Sequence, residues 1–281
     1  MPPGGPRWAR HPKAFAQLVA GMPTDAAAHA RALAAAPPDR AYVILFTPRS
    51  GSTWLALTLE ATGRLGKPFE HLHPDAARIR AEEAATTDPA GALAVLQRRH
   101  QTANGVFGIK LRALDIHLFG ADPFFAALGP PARYFCLWRD NVVAQGVSLY
   151  RAVASGRWHS YEADQAAPEY DAAAIQKWVA HVVQIENQNR ILLRERQIRA
   201  VWMRYEDIVE DPRGTLARVA RAVGETLPAD LPAPALSRLA DDWNIAAEAR
   251  FRAERPDAVA ALEARRLVKR MMLRRAARSS Q

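Results

Sequence analysis

The chain has 281 residues, 49% hydrophobic and 24% charged, a balance that excludes disorder throughout and suits one large globular domain or two small ones. Its 57 alanines and its 33 arginines against 5 lysines reflect coding bias and name no chemistry. The formal charge is +9, but residues 252–281 hold nine bases against three acids; the mildly basic remainder argues against a nucleic-acid footprint and leaves local anion sites as the question.

The lone cysteine, Cys136, excludes an intrachain disulfide and a multi-cysteine zinc site, and no histidine spacing suggests a metal. No apolar run reaches the roughly 18 residues a membrane span needs. The chain therefore reads as soluble and cytoplasmic.

In chain order, residues 1–39 hold seven prolines and an alanine-rich stretch from Ala26 to Ala36, read as a lead-in with one packing helix. The run Ala41–Phe46 is apolar on both faces, as expected of a buried parallel strand. The turn Thr47-Pro48-Arg49-Ser50-Gly51 ends it, and Ser52–Thr62 reads as a helix stopped by Gly63. Further strands are expected at Val106–Ile109, Tyr134–Trp138 and Ile198–Met203. Helices are expected at Pro74–Glu83, Ala90–Thr102, Val142–Ala154, Ala172–Arg196 and Pro212–Val223. Strands alternating with helices at crossover length imply an α/β fold. We expect a single P-loop-like domain over residues 40–250, with a central parallel sheet flanked by helices, and a helical basic C-terminal appendage over 251–281. Its ligand belongs at the carboxyl ends of the strands.

The strongest local signal is the strand followed by Arg49-Ser50-Gly51-Ser52-Thr53 and a helix. Backbone N–H groups converge there, Gly51 permits close approach, and hydroxyls and a guanidinium add donors for an anion. It is not a Walker A loop, because the Gly66-Lys67 pair is followed by Pro68 and lacks the first glycine. The bland alternative is that Ser50, Ser52 and Thr53 only cap a helix. A second candidate follows the third strand, where Ser148 trails Arg139 by nine residues and both reach toward one strand end. The alternative is an ion pair of Arg139 with Asp140 and an ordinary helical serine.

Together these stretches resemble the bacterial carbohydrate sulfotransferases that use 3′-phosphoadenosine 5′-phosphosulfate (PAPS), the family typified by trehalose 2-sulfotransferase. The resemblance is carried by Pro48–Thr53, Ala61-Thr62-Gly63 with Gly66–Glu70, Asn104–Leu111, Arg139–Ala152 continuing to Trp158, and Tyr205-Glu206-Asp207, with an echo at Arg250-Phe251-Arg252. It implies that Arg49, Ser50, Gly51, Ser52 and Thr53 hold the 5′-phosphosulfate and that Arg139 and Ser148 hold the 3′-phosphate. It implies Glu70 as general base, with 3′-phosphoadenosine 5′-phosphate (PAP) as product and no metal.

His71 and His73 rival Glu70, since imidazole titrates nearer neutrality. Lys110 is a candidate for contact with the transferring group, or is a solvated strand-end lysine. Tyr205 edges the adenine or is a core residue, and Arg252 covers the 3′-phosphate or lies on an exposed helix. The resemblance implies a carbohydrate or glycolipid acceptor, and a homodimer is open because the family includes dimers. The tail, with Arg265, Arg266, Lys269, Arg270, Arg274, Arg275 and Arg278 among apolar residues, reads as a solvated helix or, as the rival reading of the chain, as a basic module lying on the anionic inner membrane surface or on nucleic acid.

Overall fold

The computed structural model describes residues 14–129, 132–158, 162, 166–231 and 241–279; the N-terminal bases Arg7, Arg10 and Lys13 lie outside them. Four parallel strands, β1 (Arg40–Leu45), β2 (Val106–Leu111), β3 (Arg133–Trp138) and β4 (Val201–Arg204), lie in the order β2-β1-β3-β4. The order reverses at β1, whose two neighbours are β2 and β3. The loops leaving β1 and β3 therefore diverge to opposite sides and open a crevice between them.

Both sheet faces are buried, as the unbroken apolar strands required. On one face Val43, Leu45, Phe107, Ile109 and Cys136 pack in a common core with residues of the N-terminal helices α1 (Phe15–Leu18) and α2 (Ala26–Ala32) and of α4 (Pro74–Ala84), α5 (Pro89–His100), α6 (Ala113–Phe119) and α7 (Ala121–Leu128). On the other, Tyr42, Ile44, Phe135 and Met203 meet α3 (Ser52–Ala61), α10 (Tyr205–Glu210) and α11 (Pro212–Ala222). A third core joins α8 (Val142–Ser155), α9 (Ala172–Glu195), α12 (Asp242–Glu254) and α13 (Pro256–Ala264); α14 (Leu267–Ser279) completes the chain. Gly146 lets α8 and α9 touch, because a Cβ there would lie 2.3 Å from Val179 Cγ2 and 2.8 Å from its backbone.

Three expectations are corrected. The fourth strand starts at Val201 and not Ile198, because the Ile198 N–H closes the end of α9 on the Leu193 carbonyl at 2.8 Å, with Gln197 at φ 53°. The second strand runs on through Lys110 to Leu111, paired with Ile44 and Leu45 of β1. The alanine-rich helix stops at Ala32; Arg98 takes the carbonyls of Leu33 and Ala35, and Gln101 that of Ala36.

The C-terminal segment is helical, but the boundary expected after residue 250 falls inside α12, where Phe251 is fully buried beside α8 and α9. Arg266 is also buried, against Glu186 of α9. That removes Arg266 from any membrane-facing basic stripe, and Lys269 pairs with Asp140 and Glu263. The side chains of Arg274, Arg275 and Arg278 lie outside those described. No helix among the described residues is long and apolar enough to cross a membrane.

Candidate active site at the strand switch point

The loop after β1 is held from several directions. Arg49 sits at φ 63° and Gly51 at φ 77°. A Cβ on Gly51 would lie 2.9 Å from the Tyr205 ring, so this position requires glycine for both its backbone and its neighbour. Ser50 Oγ donates to the Thr47 carbonyl at 2.6 Å. The Ser50 hydroxyl thus closes the turn instead of facing a ligand, which corrects its expected donor role and leaves its amide. Gln145, fully buried on α8, donates to Thr47 Oγ1 at 2.8 Å and to the Pro48 carbonyl at 2.6 Å. No side chain caps the N-terminus of α3, and its first turn contains no acid, so the helix dipole there is open to an anion.

The two sequence candidates meet. Arg49 Nε donates to Ser148 Oγ at 3.0 Å and Nη1 to the Trp158 carbonyl at 2.6 Å. Arg139 Nη1 reaches the Arg49 carbonyl at 3.3 Å, and its guanidinium lies 4.5 Å over the Tyr205 ring. The resemblance put Arg49 in one pocket and Ser148 in another; the structure places both on one wall. A shallow, solvent-open cleft lies beside them, lined also by Arg151, Ser155, Arg157 and Asn244. Burial first, and then the neighbouring Arg139 charge, lower the Arg49 pKa to about 10. An anion in the cleft would relieve that opposition.

The turn after β3 carries residues that sequence reasoning passed over. Glu206, in the first turn of α10, accepts from the amides of Asp140 and Asn141 at 3.1 and 3.5 Å. Its signal was its place in the Tyr205-Glu206-Asp207 stretch, of which only the tyrosine had been given a role. Asp140 engages Lys269 at 3.6 Å. Arg151 is tied to Asp241 and to Asn244 Oδ1, both at 2.6 Å.

On the other side of the loop, Lys110 is 3% exposed and is not a solvated strand-end residue. Its Nζ lies 3.0 Å from Glu70 Oε1 and 3.2 Å from Thr53 Oγ1, and 4.9 Å over the Phe46 ring. The Thr53 oxygen accepts this bond, so its own proton remains available for donation. Burial pushes the Glu70 carboxyl up, but the Lys110 charge and hydrogen bond, with Arg112 and His73, bring it below the usual carboxylate range. Its side chain keeps 37% exposure.

His71 is turned elsewhere: it is buried, its Nε2 meets the Lys67 carbonyl at 2.9 Å, and its ring lies 4.2 Å from that of His100. His73 donates its backbone N–H to the Glu70 carbonyl at 3.1 Å, and its charge is among those that lower the Glu70 carboxyl. Arg252 pairs with Glu248 at 2.9 Å and donates to Asn141 Oδ1 at 2.8 Å, beside the turn that carries Arg139. Among the described residues, no group of His, Cys, Asp and Glu is arranged to hold a metal ion.

The family model described as Stf0 sulphotransferase matches residues 41–254. Trehalose 2-sulfotransferase from Mycobacterium tuberculosis (strain ATCC 35801 / TMC 107 / Erdman) is 29% identical over 257 residues, covering 77% of this chain and 96% of that protein. Among solved structures, the sulfotransferase domain from the Synechococcus PCC 7002 olefin synthase aligns with a TM-score of 0.48 at 21% identity, covering 77% of this chain and 88% of that chain.

Proposed function

The chain belongs to the Stf0 sulphotransferase family, and from that premise we propose that it moves the sulfuryl group of PAPS to a hydroxyl of a carbohydrate or glycolipid by in-line displacement. The observation that carries the reading is the meeting of two cationic sets, from chain segments about ninety residues apart, at the switch point of the sheet. A relative named for the sulfation of trehalose draws the acceptor toward a sugar.

The donor set suits a nucleotide with oxyanions at two positions. The amides of residues 50–53, the open end of α3 and the Thr53 hydroxyl suit the 5′ side. Arg139 and Ser148, with Arg49 across them, suit the 3′-phosphate. When bound, PAPS supplies the activated sulfuryl group.

Such transfer asks little covalent work of the protein; positioning and charge stabilisation dominate. The Thr53 hydroxyl and Lys110 stabilise charge growing on the leaving phosphate. Glu70 takes the acceptor's proton; Lys110 engages its Oε1, leaving Oε2 for that task. A base in this position contributes about 10² to 10⁴ in rate.

Thermal denaturation with PAP, beside isotope-labelled transfer from PAPS to a panel of sugars, tests the proposal. Stabilisation by PAP well beyond that by adenosine 5′-phosphate, with label in at least one sugar, is the expected result. Equal stabilisation by both nucleotides and unlabelled sugars would overturn it.

A further inference from the structure

The family match ends at residue 254, the last residue of α12, yet the segment beyond it reaches the core of the site. Arg266, between α13 and α14, has no exposed side-chain surface. Its Nη2 donates to the Arg139 carbonyl at 2.6 Å and its Nη1 to the Asp140 carbonyl at 2.7 Å. Nε and Nη2 meet the two Glu186 oxygens at 3.1 and 2.8 Å, and Nη1 also reaches Glu263 at 3.3 Å. Asn187, the next residue on α9, docks the same junction by donating to the Arg265 carbonyl at 3.0 Å and accepting from the Leu267 amide at 2.9 Å.

The turn that presents Arg139 is thereby gripped on two sides. Glu206 takes its amides and Arg266 takes its carbonyls. A planar five-donor fork serves two carbonyls and two carboxylates at once, which a lysine cannot do with the same geometry. With the peptide direction fixed at both ends, the Arg139 side chain is aimed over Tyr205 toward Arg49.

We infer that Arg266 is a positioning residue of the nucleotide site: by holding the carbonyls of Arg139 and Asp140 from the C-terminal segment, it sets the preference for a nucleotide that carries a 3′-phosphate. This rests on the PAPS reading above. A merely structural role would lower stability and weaken all nucleotides alike, whereas positioning acts on the 3′-phosphate alone.

The experiment is calorimetric titration of the full-length protein with PAP and with adenosine 5′-phosphate, taking the ratio of the two Kd values. The variant Arg266→Met/Glu186→Leu removes both charges together, because a lone buried carboxylate would itself be strongly destabilising. Its preference for PAP is expected to fall at least tenfold, with adenosine 5′-phosphate affinity within about threefold of the parent. Leu262→Ala, a core change in α13 that touches neither carbonyl, should lower the melting temperature and keep the ratio. In an Arg139→Ala background the double change should leave the ratio unaltered, since its effect runs through Arg139.

Should the double variant not fold, Asn187→Ala loosens the same junction without uncovering a charge, and about a threefold loss of preference is expected. An unchanged ratio in whichever of these two variants folds, or an equal loss in Leu262→Ala, would overturn the inference. A parent protein that does not prefer PAP would instead overturn the PAPS reading itself.

Discussion

The two sides of the loop after β1 solve their electrostatics differently. On the side of β1 and β2, Glu70, Lys110 and Thr53 form a closed chain in which the acid, the base and the hydroxyl each have a partner. On the side of β3 and α8, Arg49 gives its hydrogen bonds to neutral acceptors, Ser148 Oγ and the Trp158 carbonyl, and stands close enough to Arg139 for the two charges to oppose one another. The first side is set before any ligand arrives; the second is improved by one. Such a contrast suits the proposed transfer, in which chemistry is preorganised on one side and binding energy is held in reserve on the other.

The largest expected effect separates them. Glu70→Gln should cut sulfuryl transfer at least about a hundredfold while PAP binding stays within about twofold, read from steady-state rates beside titration. An equal loss in both measurements would erase the distinction. Next, Arg49→Ala or Arg139→Ala should weaken PAP binding by about tenfold or more, the scale of one lost charge-assisted contact. The melting temperature of the ligand-free protein should change little for Arg49→Ala, because a repulsion goes with the bonds. A large drop there would mean the cationic side is satisfied without a ligand.

Lys110→Met sharpens the comparison on the pH axis. Burial raises the Glu70 carboxyl and Lys110 is the chief opposing influence, so its removal lets the carboxyl rise. A base must be deprotonated to act; the acidic limb of kcat/KM should therefore move to higher pH, and an unmoved limb would show that Lys110 does not govern this carboxylate.

The smallest effect lies outside the cleft. Burial, then the His71 and Arg80 charges, push His100 from 6.5 to about 4. Its depressed folded pKa means the unfolded chain binds the proton more readily, so stability is full above about pH 6.5 and is lost as pH falls toward 4. His100→Phe should flatten that part of the melting profile without altering transfer at neutral pH. A slope that persists unchanged would assign it to other groups.

Much of this was legible before any coordinates. The apolar runs at 41–46 and 134–138 fell within a residue of β1 and β3, because a strand buried on both faces leaves an unbroken signal. The loop at 49–53 was marked by residue type and order and the Arg139 and Ser148 pair by the resemblance, and the structure brings Arg49 to Ser148 and Arg139 to the Arg49 carbonyl. Other features were not legible. Lys110 looked like the end of a strand because a charge normally ends an apolar run, and only its register beside Ile44 and its contact with Glu70 keep it inside. Gln145 and Glu206 stood inside stretches that carried the resemblance, but nothing local showed what they bind, since their partners at Thr47, Pro48 and Asp140 lie far off along the chain.

The amino-acid order by itself determined the alternation of strand and helix, the Arg-Ser-Gly-Ser-Thr turn after the first strand and the family, because each is written in short-range pattern. Tertiary structure decided which charges meet: that Glu70 rests on Lys110, that Arg49 crosses to Ser148, and that the tail's Arg266 turns inward to hold the turn at 139–140. Pairing energy depends on distance and burial, which sequence neighbours do not set, so the same arginine reads as a solvated helix charge in one dimension and as a buried anchor of the turn after β3 in three.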